Sequence, residues 1–153
     1  MSKLRSVGGF LLFWSAMLMQ PAWADGHCEL EIEASDMMQF NTLEMEASAS
    51  CAEVTVTLVH VGRLPKEGMG HNWVLTKSAD FMPVAQAGMK AGLASNYLPA
   101  DDGRIIAGSD IIGGGESTSV TFSTAGLSAG ESYTYFCSYP GHWGIMKGTF
   151  TLT

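Results

Sequence analysis

Cys28-Glu29-Leu30-Glu31-Ile32-Glu33 alternates apolar and acidic residues without a break. A period of two places every second side chain on one face, so this run predicts a strand with an apolar inner face and a row of glutamates outside. Val54-Thr55-Val56-Thr57-Leu58-Val59-His60 repeats the alternation with β-branched residues on both faces, as a more central strand does. Further strands are predicted over 40–46, 72–76, 104–107, 117–123, 131–137 and 147–153. About eight short strands separated by turn signals such as Gly113-Gly114-Gly115 predict an antiparallel sandwich or barrel.

One segment departs from this pattern. Ala79, Met82, Ala85, Ala87, Met89 and Ala91 between Ser78 and Leu93 favour a helix, with Ser78 able to cap its start and Gly92 suited to its end. Pro83 is awkward beyond a first turn, and Gly88 weakens the interior. One short helix inserted between strands is therefore expected.

The chain of 153 residues suits a single domain. An apolar fraction of 46% against 15% charged residues describes a globular chain, not a disordered one. Residues 1–24 differ from the rest. Lys3 and Arg5 precede an uncharged, mostly apolar run from Val7 to Met19, and Ala22-Trp23-Ala24 offers the small residues of a cleavage site. This predicts a cleaved secretory signal over 1–24 and a single exported domain over 25–153. The apolar run is shorter than the ~20 residues that span a bilayer, so no membrane anchoring is expected. Removing Lys3 and Arg5 from eight basic residues leaves six against fifteen acidic ones, a charge of about −9. That sign, with no basic cluster, excludes nucleic acid as a partner.

Three cysteines allow three pairings with one thiol left over. Cys28 and Cys51 flank ordinary strand sequence, whereas Cys137 sits among candidate metal ligands, so Cys28 is expected to pair with Cys51; the alternative is two reduced buried cysteines. An oxidising compartment would favour the disulfide.

Phe136-Cys137-Ser138-Tyr139-Pro140-Gly141-His142-Trp143-Gly144-Ile145-Met146 carries the chemistry. It brings a thiolate, an imidazole and a thioether into one loop, and His71, in Gly70-His71-Asn72, can supply a second imidazole. Each residue alone has a bland reading: Cys137 a small core residue, His142 a loop histidine, Met146 core filler. Jointly they form a set. Two histidines, one cysteine and a weak axial methionine are the ligands of an electron-transfer copper site. The turn at Pro140-Gly141 can double the chain back so that Cys137, His142 and Met146 converge, while His71 comes from a separate strand end. A Cys–His enzyme would leave His71 and Met146 idle. A copper-dependent reductase would need a further cluster of histidines, and a copper carrier a more open site.

Met69-Gly70-His71-Asn72-Trp73-Val74-Leu75, the loop 136–142 with Met146-Lys147-Gly148, the pair Cys28 and Cys51, and Met38-Gln39-Phe40-Asn41 together resemble the azurin family, small bacterial blue copper proteins within the cupredoxins. The resemblance covers nearly all of the chain from Cys28 to Thr153. It implies an all-β, cupredoxin-like fold: a Greek-key β-sandwich or barrel of seven to eight strands with one short inserted helix. It also implies one type 1 copper ion held by His71, Cys137 and His142, with Met146 and the carbonyl of Gly70 as weak axial ligands. Asn72 would tie the two ligand segments together. The implied function is one-electron transfer in the periplasm, not catalysis, by a monomer whose partners are c-type cytochromes or a copper or haem reductase. Met38, Leu64, Met69, Met89, Tyr139, Pro140 and Gly141 would form an apolar docking patch around an exposed edge of His142. Tyr139, where phenylalanine is common, and the bulky Trp143 depart from the family pattern.

Two further histidines have separate readings. His60 continues the inner face of its strand and is expected to be a buried structural residue. Cleavage after Ala24 would leave Asp25-Gly26-His27 at a free amino terminus, whose amine, amides and imidazole can bind Cu(II) or Ni(II) in a square plane.

Overall fold

A computed structural model describes residues 27–153; the expected signal sequence and Asp25-Gly26 lie outside the described residues. The alternating run becomes β1 (Glu29–Ser35), with Ile32 and Ala34 fully buried and Glu29 and Glu31 exposed. The second run becomes β4 (Glu53–His60), which buries Val54, Val56, Leu58 and His60. On its outer face Thr55 and Thr57 pair their hydroxyls with Thr121 and Ser119, each at 2.9 Å.

Among the described residues, nine strands form two sheets. The first has the order β2 (Gln39–Phe40), β1, β4, β7 (Ser117–Ser123); the second has β3 (Glu44–Ala47), β9 (Lys147–Leu152), β8 (Tyr133–Phe136), β5 (Val74–Lys77), β6 (Ile105–Gly108). The expectation of a purely antiparallel arrangement needs correction, because β1 runs parallel to β4 and β3 runs parallel to β9. In each case the partner arrives from a distant part of the chain and not through a hairpin, so local turn signals carry no information about its direction.

The single strand expected over 40–46 is two strands in different sheets. Asn41 closes onto β1, its N–H donating to the Glu33 carbonyl and its Oδ1 accepting from the Glu33 N–H, both at 3.0 Å. The Thr42 carbonyl then accepts from the Tyr135 hydroxyl at 2.7 Å, on the opposite sheet. The chain crosses the sandwich between these anchors, which raises the strand number to nine.

Trp73 is fully buried where the sheets meet, stacked on Phe122 at 5.9 Å and Tyr135 at 6.0 Å and edge-on to Phe150 at 6.4 Å. Such ring pairs contribute about 0.5–1.5 kcal/mol each beyond the area they bury. Cys28 and Cys51 form a disulfide with their Cα atoms 5.7 Å apart, tying the start of β1 to the turn before β4.

The inserted helix is α2 (Phe81–Ala91), preceded by a single helical turn, α1 (Lys66–Met69). Phe81, Val84, Ala85 and Gly88 line its buried face, and Phe81 meets Phe136 edge-on at 4.9 Å. Pro83 is the third helical residue, where its missing N–H has no partner to lose. Ser78 does not cap the helix; its hydroxyl bonds those of Ser132 and Thr134 at 2.9 and 2.8 Å. Gly88 also has a reason: a Cβ there would strike the Tyr97 carbonyl, so glycine alone lets the helix lie this close.

Candidate metal centre

The centre has two halves, one built into the sandwich and one carried by a loop. On the sandwich side, α1 leads into Gly70 and His71. His71 forms a β-bridge with Ile112, its N–H donating to the Ile112 carbonyl at 3.0 Å and its carbonyl accepting at 2.9 Å. Its Nε2–H donates to the Ser35 carbonyl at 2.9 Å, which fixes the tautomer and leaves the Nδ1 lone pair free. That Nδ1 lies 3.8 Å from Cys137 Sγ. The Gly70 carbonyl is 3.9 Å from the same sulfur, and a Cβ at Gly70 would collide with the Lys66 carbonyl and the Ile111 side chain.

On the loop side, Cys137 follows the last residue of β8, and its N–H donates to the Met146 carbonyl at 3.0 Å, closing the loop at its neck. Gly141, at φ +85°, occupies the left-handed region and turns the chain. His142 N–H donates to the Tyr139 carbonyl at 3.0 Å, and Met146 N–H to the His142 carbonyl at 2.8 Å. This geometry brings His142 Nδ1 to 3.6 Å from Cys137 Sγ.

Asn72 joins the halves. Its Oδ1 accepts from the Ser138 N–H at 2.8 Å, and its Nδ2 donates to the Ser138 hydroxyl at 2.8 Å and to the Asn96 carbonyl at 3.1 Å. Asn72 and Ser138 are both fully buried, and Asn96 is half-buried. The expected tie between ligand segments is thus present, with Ser138 and Asn96 as participants that residue type alone did not reveal. Nor did it reveal the Ser35 carbonyl, since a main-chain acceptor leaves no mark in sequence.

His71, Cys137 and His142 offer one donor atom each within 4.8 Å of one another, and all three are buried, His142 being 3% exposed. Met146, fully buried, lies on the same loop. First-row metal bonds of about 2.0 Å to imidazole and about 2.3 Å to thiolate, opened to roughly 120°, set nitrogen and sulfur about 3.7 Å apart. The observed 3.6 and 3.8 Å match that spacing, so a divalent ion fits between the donors without the frame opening. Soft sulfur beside imidazole selects copper or zinc over harder ions.

Burial governs the protonation of these groups. It pushes the Cys137 thiol up to about 12 and pulls His71 down to about 4 and His142 below its ordinary value. Both imidazoles are therefore neutral donors at neutral pH, and Cys137 holds its proton until a metal replaces it.

His60 is buried, as its strand position predicts, and both ring nitrogens are engaged: Nε2 with the Met69 carbonyl at 2.9 Å, Nδ1 with the Gly62 N–H at 3.0 Å. Of the residues expected to form the docking patch, Leu64 and Met89 are 45% and 43% exposed, Gly141 is exposed, and Met38, Met69, Tyr139 and Pro140 are half-buried. Tyr139 stacks on His142 at 4.6 Å and donates its hydroxyl to the Glu67 carbonyl at 2.5 Å. Trp143 turns the other way and packs with Val74, Phe81 and Phe136 under α2.

Comparison with known proteins agrees with this geometry. The family described as copper binding proteins, plastocyanin/azurin family, matches residues 26–153. An azurin of Achromobacter denitrificans is 56% identical over 126 residues, covering 82% of this chain and 85% of that protein. An azurin of Bordetella pertussis is 49% identical over 146 residues, 95% of each chain. The solved structure of an azurin from Methylomonas sp. strain J superposes with a TM-score of 0.80 at 52% identity, covering 82% of this chain and 98% of that one. By the extent of these matches and the donors gathered at its centre, the chain belongs to the plastocyanin/azurin family of copper-binding proteins.

Proposed function

We propose that this chain is an exported, monomeric one-electron carrier holding a single copper ion on His71 Nδ1, Cys137 Sγ and His142 Nδ1, with Met146 and the Gly70 carbonyl as weaker donors. The observation that carries this reading is the convergence of those three buried donors within 4.8 Å of one another. When bound, copper supplies the chemistry by alternating between Cu(II) and Cu(I).

The protein's part is to hold still and keep water out. His71 is braced by the Ile112 bridge and the Ser35 carbonyl, and the loop by Asn72 and Ser138, so one frame serves both oxidation states. Little reorganisation is then needed when an electron arrives or leaves. His142 lies closest to the surface of the three, with the Tyr139 ring against it at 4.6 Å, and we infer that Leu64, Met89 and Pro140 complete an apolar patch around its edge. A small apolar contact suits partners that must part quickly, and c-type cytochromes or a copper or haem reductase are the partners we propose.

Burial also argues against an enzyme. A Cys–His nucleophile needs an accessible thiolate, whereas Cys137 is fully buried with its thiol pushed up to about 12. A periplasmic location is supported by the signal-like pattern over 1–24 and by the Cys28–Cys51 disulfide, which suits an oxidising compartment. The domain that works there is 25–153.

The test is spectroscopic. The Cu(II) protein is expected to show an intense visible absorption, from Cys137 sulfur to copper, that bleaches reversibly on reduction. Copper bound without that band would sink the proposal.

A further inference from the structure

We propose that Asn96 is a positioning residue for the metal centre, acting through Asn72, Ser138 and Ile111 to hold the scaffold half and the loop half at one separation. The inference rests on the proposed function, since it takes His71, Cys137 and His142 as the donors. It concerns a segment outside both ligand stretches, the turn Leu93–Ser95 and the residues that follow it.

Every polar group of Asn96 is engaged. Its N–H donates to the Leu93 carbonyl at 2.9 Å. Its carbonyl accepts from Asn72 Nδ2 and from the Ser138 hydroxyl, both at 3.1 Å. Its Nδ2 donates to Asp110 Oδ1 at 2.8 Å, and its Oδ1 accepts from the Ile111 N–H at 3.0 Å. Three of these partners are chain neighbours of the centre: Asn72 follows His71, Ser138 follows Cys137, and Ile111 precedes Ile112, which bridges to His71. One residue therefore reaches both halves at one remove. The Asn96 carbonyl also decides which way round the Asn72 amide lies. With Nδ2 committed to that carbonyl and to the Ser138 hydroxyl, Oδ1 is left facing the Ser138 N–H.

The backbone at this point is strained. Asn96, at φ 55°, and Tyr97, at φ 51°, are successive non-glycine residues in the left-handed region. Asparagine tolerates that region, whereas a bulky tyrosine does not. Such a conformation persists only where its surroundings over-determine it, and such positions gather at functional sites. Two contacts hold this one. α2 lies against the Tyr97 carbonyl at Gly88, where no Cβ fits, and the Tyr97 ring meets Tyr139 edge-on at 5.2 Å. Tyr139 in turn stacks on His142, so the pair 96–97 reaches the third donor through one ring. Loosening this bracket has a definite consequence. Cu(II) prefers a tetragonal arrangement, and a frame freer to approach it should lower the reduction potential.

The experiment uses two single variants and one paired variant. Asn96→Ala removes both side-chain bonds and leaves the carbonyl unanchored. Asn96→Asp sets two carboxylates against each other at the contact with Asp110, and adding Asp110→Asn restores a donor there while the Ile111 N–H keeps its acceptor. In metal-free protein, hydrogen exchange at the Ser138 N–H is expected to quicken about tenfold relative to the β4 amides in both single variants, the scale of losing one or two hydrogen bonds. In copper-loaded protein the reduction potential should fall in both, and the paired variant should return both readouts towards their original values. Unchanged readouts in the single variants overturn the proposal. So does an acceleration that the β4 amides share equally, which is the mark of a merely structural residue, or a paired variant that restores neither readout. Should Asn96→Ala fail to fold, Asn96→Asp against its paired variant decides alone. If copper binds without the intense visible band, the electron-carrier reading falls, while exchange at Ser138 in the metal-free protein still decides this one.

Discussion

The two halves of the copper centre are held in different ways. His71 sits on a β-bridge, with main-chain bonds to Ile112 on both sides and a third bond from its ring to Ser35, on the opposite sheet. His142 sits on a loop whose bonds are mostly to itself, between Tyr139, His142, Ile145 and Met146. The first half is part of the sandwich; the second is docked onto it through Asn72, Ser138 and the packing of Trp143 against the Val74, Phe81 and Phe136 cluster. A scaffold half and a docked half give a rigid back and a front that can face a partner. The difference predicts that damage to the joint between them is felt at the metal, whereas changes at the tip are felt mainly by partners.

The largest effect is expected at the sulfur both halves share. Cys137→Ser should abolish the visible band altogether, measured on the copper-loaded protein, because no thiolate remains to donate charge. Next is pH. The metal must displace the Cys137 proton, which burial holds up to about 12, while His71, pulled down to about 4, is already neutral. Metal uptake near pH 7 should therefore release about one proton, and affinity should fall about tenfold for each unit of acidification until His71 also competes near pH 4. Potentiometry during Cu(II) or Zn(II) addition would check the count; release of none would mean that Cys137 is ionised in the metal-free protein.

The same shift has a stability consequence with a definite sign. His71 has a folded pKa below its ordinary value of about 6.5, so the unfolded chain binds the extra proton first. Metal-free protein should lose stability as the pH falls from about 6.5 towards 4, and the loss should be absent in the copper-loaded form over the range where the metal stays bound. Denaturant titrations at several pH values would show it.

Asn72→Leu attacks the joint itself. It orphans the buried Ser138 N–H, at a cost of about 1–3 kcal/mol in the metal-free protein by denaturant midpoint. It should also shift the copper band, since Cys137 is the next residue; a band unchanged despite lost stability would show that the loop keeps its own shape. Met146→Leu should retain copper and change its reduction potential, because a weak donor tunes more than it holds. The smallest effect is expected at the tip. Tyr139→Phe removes one hydroxyl bond to the Glu67 carbonyl, about 0.5–1.5 kcal/mol, leaving the stack on His142 and the band in place.

Much of this could be read in the chain. Alternation over 28–33 and 54–60 predicts the two strands that carry the inner core, because a period of two is a local property of backbone geometry. The ligand types and their spacing in 137–146 predict copper for an equally local reason: donor softness belongs to the side chain. What failed was long-range. The split of 40–46 between two sheets depends on Glu33 and Tyr135 holding Asn41 and Thr42 from opposite sides. The parallel pairing of β3 with β9 joins ends of the chain that no turn connects.

His60 and His71 show where the division falls. Their rings are 4.5 Å apart, both fully buried, and nothing in residue type separates a structural histidine from a metal-facing one. Sequence by itself determined that imidazole, thiolate and thioether would be present in an all-β domain. Only the tertiary structure decided which nitrogen stays open, because the Met69 carbonyl and Gly62 N–H occupy both positions on His60 while the Ser35 carbonyl occupies just one on His71. Those partners are main-chain groups, identical in every residue, and only folding brings a particular one into reach.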